Sequence, residues 1–86
     1  MTFRQLRSFS EVARLRPVTA AAHALGVTEP AVSLAVGALR RELGDQLIVR
    51  TSHGIDLTPG GQRLASAAAE ILALAELARD DVRALH

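Results

Sequence analysis

Apolar positions in the middle of the chain recur at helical spacing and break at a single glycine. Val32, Val36, Leu39 and Leu43 fall at intervals of four, three and four. They predict one inward apolar stripe on a helix spanning about Thr28–Leu43, with Glu29, Ser33, Leu34, Gly37 and Arg40 on the opposite face. Thr28 is suited to cap this helix, because its hydroxyl can accept an orphan amide proton, and Pro30 sits in the first turn, where a missing N–H costs nothing. A shorter helix precedes it from Thr19 and ends at Gly26, which takes a left-handed conformation without a steric penalty, while Val27 is expected to drop into the core. The order small Ala22, turn Gly26, apolar Val32 is what two closely crossed helices need. The stretch Thr19 to Leu39 therefore reads as a helix-turn-helix, although a plain helical hairpin shares the same spacing.

Local patterns frame this pair on both sides. Thr2-Phe3-Arg4-Gln5 is a capping box, opening a helix whose buried face is predicted to be Phe3, Leu6, Phe9, Val12 and Ala13, and Pro17 closes it by pushing Arg16 out of the helical region. Beyond the glycine stop at Leu43-Gly44-Asp45, the runs Gln46–Arg50 and Ile55–Leu57 read as two short strands around the polar tip Thr51-Ser52-His53-Gly54. A hairpin beside a helix-turn-helix is a wing. Arg50, Thr51, Ser52 and His53 could meet a phosphate backbone there, or simply be solvated turn residues. Thr58-Pro59 then starts a last helix of about 28 residues, roughly 42 Å long. Along it Leu64, Ala68, Ile71, Ala75, Ala78, Val82 and Leu85 alternate at four and three, a heptad stripe. Between Ala67 and Ala78 only Glu70 and Glu76 are polar, so this part is expected to be covered on two sides, one by its own domain and one by a second chain. A single helix folded back on its own domain is the alternative.

Composition narrows the class. With 86 residues and no cysteine the chain carries neither a disulfide nor a Cys-based metal site, and no apolar run suits a membrane span or a signal peptide. A cytoplasmic protein is expected. The only aromatics are Phe3 and Phe9, so the core is aliphatic and marginal unless a partner covers part of it. Residues 1–63 hold eight arginines against five acids and residues 64–86 two against four, which places the positive charge on the helix-turn-helix and hairpin. Arginine suits phosphate and guanine, although a GC-rich gene also favours it.

Enzymatic chemistry finds no support. His23, His53 and His86 are scattered without a second ligand at metal spacing, and Thr58-Pro59-Gly60-Gly61 lacks the lysine of a phosphate loop. No nucleophile stands beside a histidine and an orienting acid, and no cofactor is expected.

The residues also carry a family resemblance. Phe3-Arg4-Gln5-Leu6-Arg7-x-Phe9, then Thr19-x-Ala-Ala-x-x-Leu25-x-Val27-Thr28-x-Pro30-Ala31-Val32-Ser33, Leu39-x-x-Glu42-Leu43-Gly44-x-x-Leu47-x-x-Arg50 and Gly54-x-x-Leu57-Thr58-x-x-Gly61 resemble the DNA-binding domain of LysR-type transcriptional regulators. The likeness is dense over residues 1 to about 65 and continues by pattern alone into that family's linker helix. It implies a mostly α-helical winged helix-turn-helix over residues 1–58, three helices and a two-stranded wing, followed by a dimerisation helix over residues 59–86. It further implies a bacterial regulator acting as a homodimer on an inverted repeat of double-stranded DNA. A small-molecule inducer would act only through an effector domain beyond His86, so the chain is expected to be a fragment.

Carried onto this sequence, the family's base-reading positions fall on Glu29, Pro30, Ser33 and Leu34, its backbone contacts on Thr28, Arg50 and Thr51, and its minor-groove contact on His53, with Arg40 and Ser52 as further candidates. The implied dimer contacts are Leu64, Ala68, Ile71, Leu74, Ala75, Ala78, Val82 and Leu85. Departures occur where the family usually has Gln at 29, a polar or basic residue at 34, Gln or Arg at 35, and Arg or Lys near 53. Glu29 can accept from cytosine N4 or merely complement the helix dipole, and Leu34 can touch a thymine methyl. Because Leu34-Ala35-Val36-Gly37 is thin in polar groups, a protein-interaction module that dimerises without reading DNA is the rival expectation.

Overall fold

The computed structural model describes all 86 residues as α1 (Phe3–Leu15), α2 (Val18–Leu25), α3 (Glu29–Leu43), β1 (Ile48–Thr51), β2 (Gly54–Leu57) and α4 (Pro59–Ala84). Local signals decide where each helix starts. Thr2 Oγ1 accepts from the Gln5 N–H at 3.1 Å while Gln5 Oε1 accepts from the Thr2 N–H at 3.0 Å, the reciprocal capping box. Thr28 and Thr58 cap α3 and α4 by accepting from the Ala31 and Gly61 amides at 3.2 and 2.9 Å. Gly26 and Gly44 stop α2 and α3 in left-handed geometry, at φ 67° and 64°. Arg16 ends α1 at φ 76° and ψ −63°, a strained turn geometry, and its guanidinium reaches the Ile55 carbonyl at 3.4 Å.

The core lies where α1, α2 and α3 cross. Phe9, Val12, Ala21, Ala22, Val32, Val36, Leu39 and Leu47 form one buried cluster, and α2 meets α3 at 108°, the angle of a helix-turn-helix rather than of an antiparallel hairpin. Burying a side chain such as Leu39 stabilises the fold by about 1.5–3 kcal/mol. The strands pair antiparallel as Ile48↔Leu57, Val49↔Asp56, Arg50↔Ile55 and Thr51↔Gly54, so the turn contains only Ser52 and His53. It is tighter than the expected four-residue tip because Thr51 and Gly54 join the ladder.

Three expected core positions lie outside it. Phe3 is 51% exposed, Val27 47% and Leu43 44%. Phe3 is the first residue of α1 and overhangs the core, bordering an open groove with Ala75, Ala78 and Val82. The Val27 amide donates to the Ala22 carbonyl at 3.0 Å, which completes the turn, and Leu25 packs against the cluster instead. Leu47, fully buried at φ 66°, closes the end of the core expected of Leu43.

α4 is 26 residues long and extends well past the rest, giving overall dimensions of 51 × 25 × 21 Å. It lies against α1 and touches β2. No single helix is long and apolar enough to cross a membrane.

Candidate nucleic-acid interface

The αL stop at Gly26 and the cap at Thr28 turn the outward face of α3 away from the core. Glu29, Pro30, Ser33 and Leu34 are all exposed, Leu34 to 70%, while Val32 and Val36 on the opposite side are buried. Residues four apart share a helix face, so Glu29 and Ser33 make one row and Pro30 and Leu34 the next.

The hairpin stands beside this face. In the observed register Arg50 pairs with Ile55 and Ile48 with Leu57, which puts these four on one side of the ribbon. Arg50 and Ser33 line a common groove of about 220 Å³ whose apolar walls include Val18, Val36, Ile48 and Ile55. The exposed face of α3 and a wing cation thus open toward the same space.

Individual side chains differ in how free they are. The Thr19 hydroxyl, in the first turn of α2, donates to Glu29 Oε1 at 3.3 Å, so the carboxylate is held between two helix N-termini, whose free amides favour negative charge. Arg40 commits its Nε to the Gln46 carbonyl at 2.8 Å and is half-buried, which fastens the turn after α3. Arg50 joins no ion pair. Thr51 Oγ1 accepts from the His53 N–H at 3.2 Å and donates to the Gly54 carbonyl at 3.4 Å. Ser52 Oγ lies 3.2 Å from His53 Nδ1. Ser52 and His53 are exposed at the very tip.

Two residues outside the expected set bear on this surface. Arg41 is exposed and unpaired, and its guanidinium nitrogen passes 3.5 Å from where a Cβ on Gly37 would stand. Ser33, Gly37 and Arg41 are four residues apart, so the spacing could have revealed it. Arg16 reaches Asp56 at 3.7 Å as well as the Ile55 carbonyl and ties the end of α1 to the wing. No periodicity in the sequence announces that contact.

The residues expected at a dimer contact divide into two groups. Ala68 is completely buried by its own chain and has no surface left for a partner, and Leu64, Ile71 and Ala75 are half-buried on the same stripe. Leu74, Ala78, Val82 and Leu85 are exposed, as is Leu77.

Comparison with known proteins gives this geometry a context. Residues 3–62 match the model of the family described as bacterial regulatory helix-turn-helix protein, lysR family. The uncharacterised HTH-type transcriptional regulator Rv0377 of Mycobacterium tuberculosis is 55% identical over 74 residues, 86% of this chain and 23% of that protein. The regulator BudR of Raoultella terrigena is 38% identical over 85 residues, 99% of this chain and 29% of its own length. The chain therefore spans about a quarter of the length of these two relatives. Among solved structures, the DNA-binding domain of CbnR in complex with DNA superposes with a TM-score of 0.89 at 39% identity, covering 99% of this chain and 98% of that one. The DNA-binding domain of BenM with catB site 1 DNA gives 0.93 at 29% identity, over 99% and 96%. The chain belongs to the LysR family of bacterial regulatory helix-turn-helix proteins, which are transcriptional regulators and not enzymes.

Proposed function

We propose that the chain binds double-stranded DNA in a sequence-specific manner, with α3 in the major groove and the wing at the backbone and minor groove. The observation that carries this reading is the shared groove of Ser33 and Arg50, which aligns an exposed helix face and an unpaired cation. The CbnR and BenM domains, which match almost residue for residue in extent, were crystallised with DNA. Glu29, Pro30, Ser33 and Leu34 face the bases; Thr28, Arg50 and Thr51 meet phosphates, with Arg41 joining them. Ser52 and His53 stand at the minor groove.

The chain acts as a homodimer on an inverted repeat. Its contact is the uncovered part of α4, Leu74, Leu77, Ala78, Val82 and Leu85, because the earlier half of the stripe already rests on α1. Residues 1–58 are then the reading unit and 59–86 the pairing unit of a longer, cytoplasmic, nucleoid-associated regulator whose inducer binds elsewhere.

Selection of bound duplexes from a random pool at two salt concentrations tests this reading. Enrichment of an inverted repeat, with thymine opposite Leu34 and a changed preference for Leu34→Arg, is expected. Binding that uses several arginines must also weaken steeply with salt. Retention of no duplex, together with a salt-insensitive protein contact through Leu34, would instead favour the interaction-module reading.

A further inference from the structure

The foot of the wing is held by one connected set of hydrogen bonds. Asp45 Oδ1 accepts from the Leu47 N–H at 2.7 Å and from the Thr58 hydroxyl at 2.7 Å. Thr58 Oγ1 in turn accepts from the Gly61 N–H at 2.9 Å, and the Thr58 N–H donates to the Leu47 carbonyl at 3.0 Å. Leu47 immediately precedes β1 and Thr58 immediately follows β2. A single carboxylate thus holds both feet of the hairpin and the start of α4.

The surrounding backbone is shaped to fit it. Leu47 sits at φ 66°, a conformation that a leucine keeps only where its surroundings hold it. A Cβ on Gly60 would overlap the Asp45 carboxylate, and one on Gly61 would overlap the Leu47 carbonyl oxygen. The paired glycines are therefore what lets α4 begin against this turn. Arg40 fixes the neighbouring Gln46 carbonyl from the α3 side, and Asp45 is the side chain that links that turn to Thr58, beside the backbone bond from the Thr58 N–H to the Leu47 carbonyl.

We infer that Asp45 is a positioning residue for DNA binding: it pins both feet of the wing to the end of α3 and the start of α4, and so sets where Arg50 and the tip stand relative to the recognition helix. The inference rests on the DNA-binding reading above. Without the carboxylate the hairpin keeps its ladder but loses its fixed angle, and Arg50 no longer meets its phosphate.

Titration of the 86-residue chain with a mixed-sequence duplex of about 30 base pairs, roughly three helical turns, across a salt series tests this. In the wild type, Arg50→Ala is expected to reduce the salt slope by about one. In an Asp45→Ala background the same change is expected to have little further effect. Gly60→Ala should act like Asp45→Ala by displacing the carboxylate, and should add nothing once Asp45 is alanine. A variant that merely folds less well loses affinity by a common factor at every salt concentration and keeps its slope, and circular dichroism measures the folded fraction. If Asp45→Ala fails to fold, Gly60→Ala with and without Arg50→Ala reads the same coupling with the carboxylate retained. An undiminished Arg50 effect in these backgrounds overturns the inference and leaves DNA binding intact; a wild type without salt-sensitive binding overturns both.

Discussion

α3 and α4 are both built on apolar residues at alternating intervals of three and four, yet only α3 finds its cover inside the chain. Val32, Val36 and Leu39 are 0–3% exposed, packed on α1 and α2. On α4 only Ala68 and Gly61 are buried, while Leu74 is 66% exposed, Leu77 55% and Leu85 85%. The same period therefore serves a completed core in one helix and an incomplete one in the other. What separates them is the side on which the apolar residues fall, because Phe3 at the start of α1 still borders Ala75, Ala78 and Val82, while Leu74 and Leu77 lie off that side of α4 and stay exposed. Apolar surface left in water is unfavourable, and the second copy of α4 proposed above would supply a cover of matching chemistry.

The sharpest way to test the completeness of the α3 core is to remove part of it. Leu39→Ala leaves a cavity at a fully buried site, and a loss of about 2–5 kcal/mol is expected, a large share of what a small domain has. Thermal or urea unfolding reads it directly. A loss below about 1 kcal/mol, typical of surface sites and tolerant swaps, would mean that the core closes around the gap and that α3 is less firmly seated than its burial implies.

Leu77→Glu addresses the other side of the comparison. Leu77 is 55% exposed and belongs to no part of the core, so monomer stability at high dilution is expected to move by less than about 0.5 kcal/mol. Self-association should nevertheless fall sharply, because an ionised carboxylate would be buried at the contact. Sedimentation equilibrium of the wild type and variant distinguishes the cases. A wild type that stays monomeric at tens of micromolar, or a variant that pairs equally well, would show that α4 is covered in some other way.

The two helices also differ in how far the sequence disclosed them. Thr2, Thr28 and Thr58 act on amides three residues away, so the helix starts were readable from neighbours alone, and Gly26 and Gly44 marked the stops. Periodicity tells which side of a helix is apolar but not where the core ends, which is why Phe3, Val27 and Leu43 are exposed and why the α4 stripe divides at Ala75. The outward face of α3 was legible for Leu34 because its exposure follows from the burial of Val32 and Val36; Arg50 shares its side of the ribbon with the half-buried Ile48 and is exposed because it lies nearer the tip. Arg40 looked equally free. Its Nε is taken by Gln46, and that depends on a turn whose left-handed Leu47 no local pattern signals. The Thr58 to Asp45 bond joins residues 13 apart, across a whole hairpin, and neither a helical nor a strand period connects them.

That joint lies between the two helices being compared, and acid should expose it. The Leu47 N–H first, and the Thr58 hydroxyl second, hold the Asp45 carboxyl below its ordinary value. An acid group whose folded pKa is depressed contributes stability above its unfolded pKa, about 3.9 for aspartate, and loses that contribution as pH falls through the lower folded value. At neutral pH Asp45→Asn should therefore cost stability, because the carboxylate's charged acceptor is lost. Between pH 4 and the acid end of the transition the wild type is expected to lose stability more steeply than the variant, and the two curves should converge. Urea midpoints measured against pH for both proteins check the sign. Parallel curves would mean that the carboxylate is as well solvated in the folded chain as in the unfolded one, leaving the end of α3 and the start of α4 joined by backbone hydrogen bonds alone.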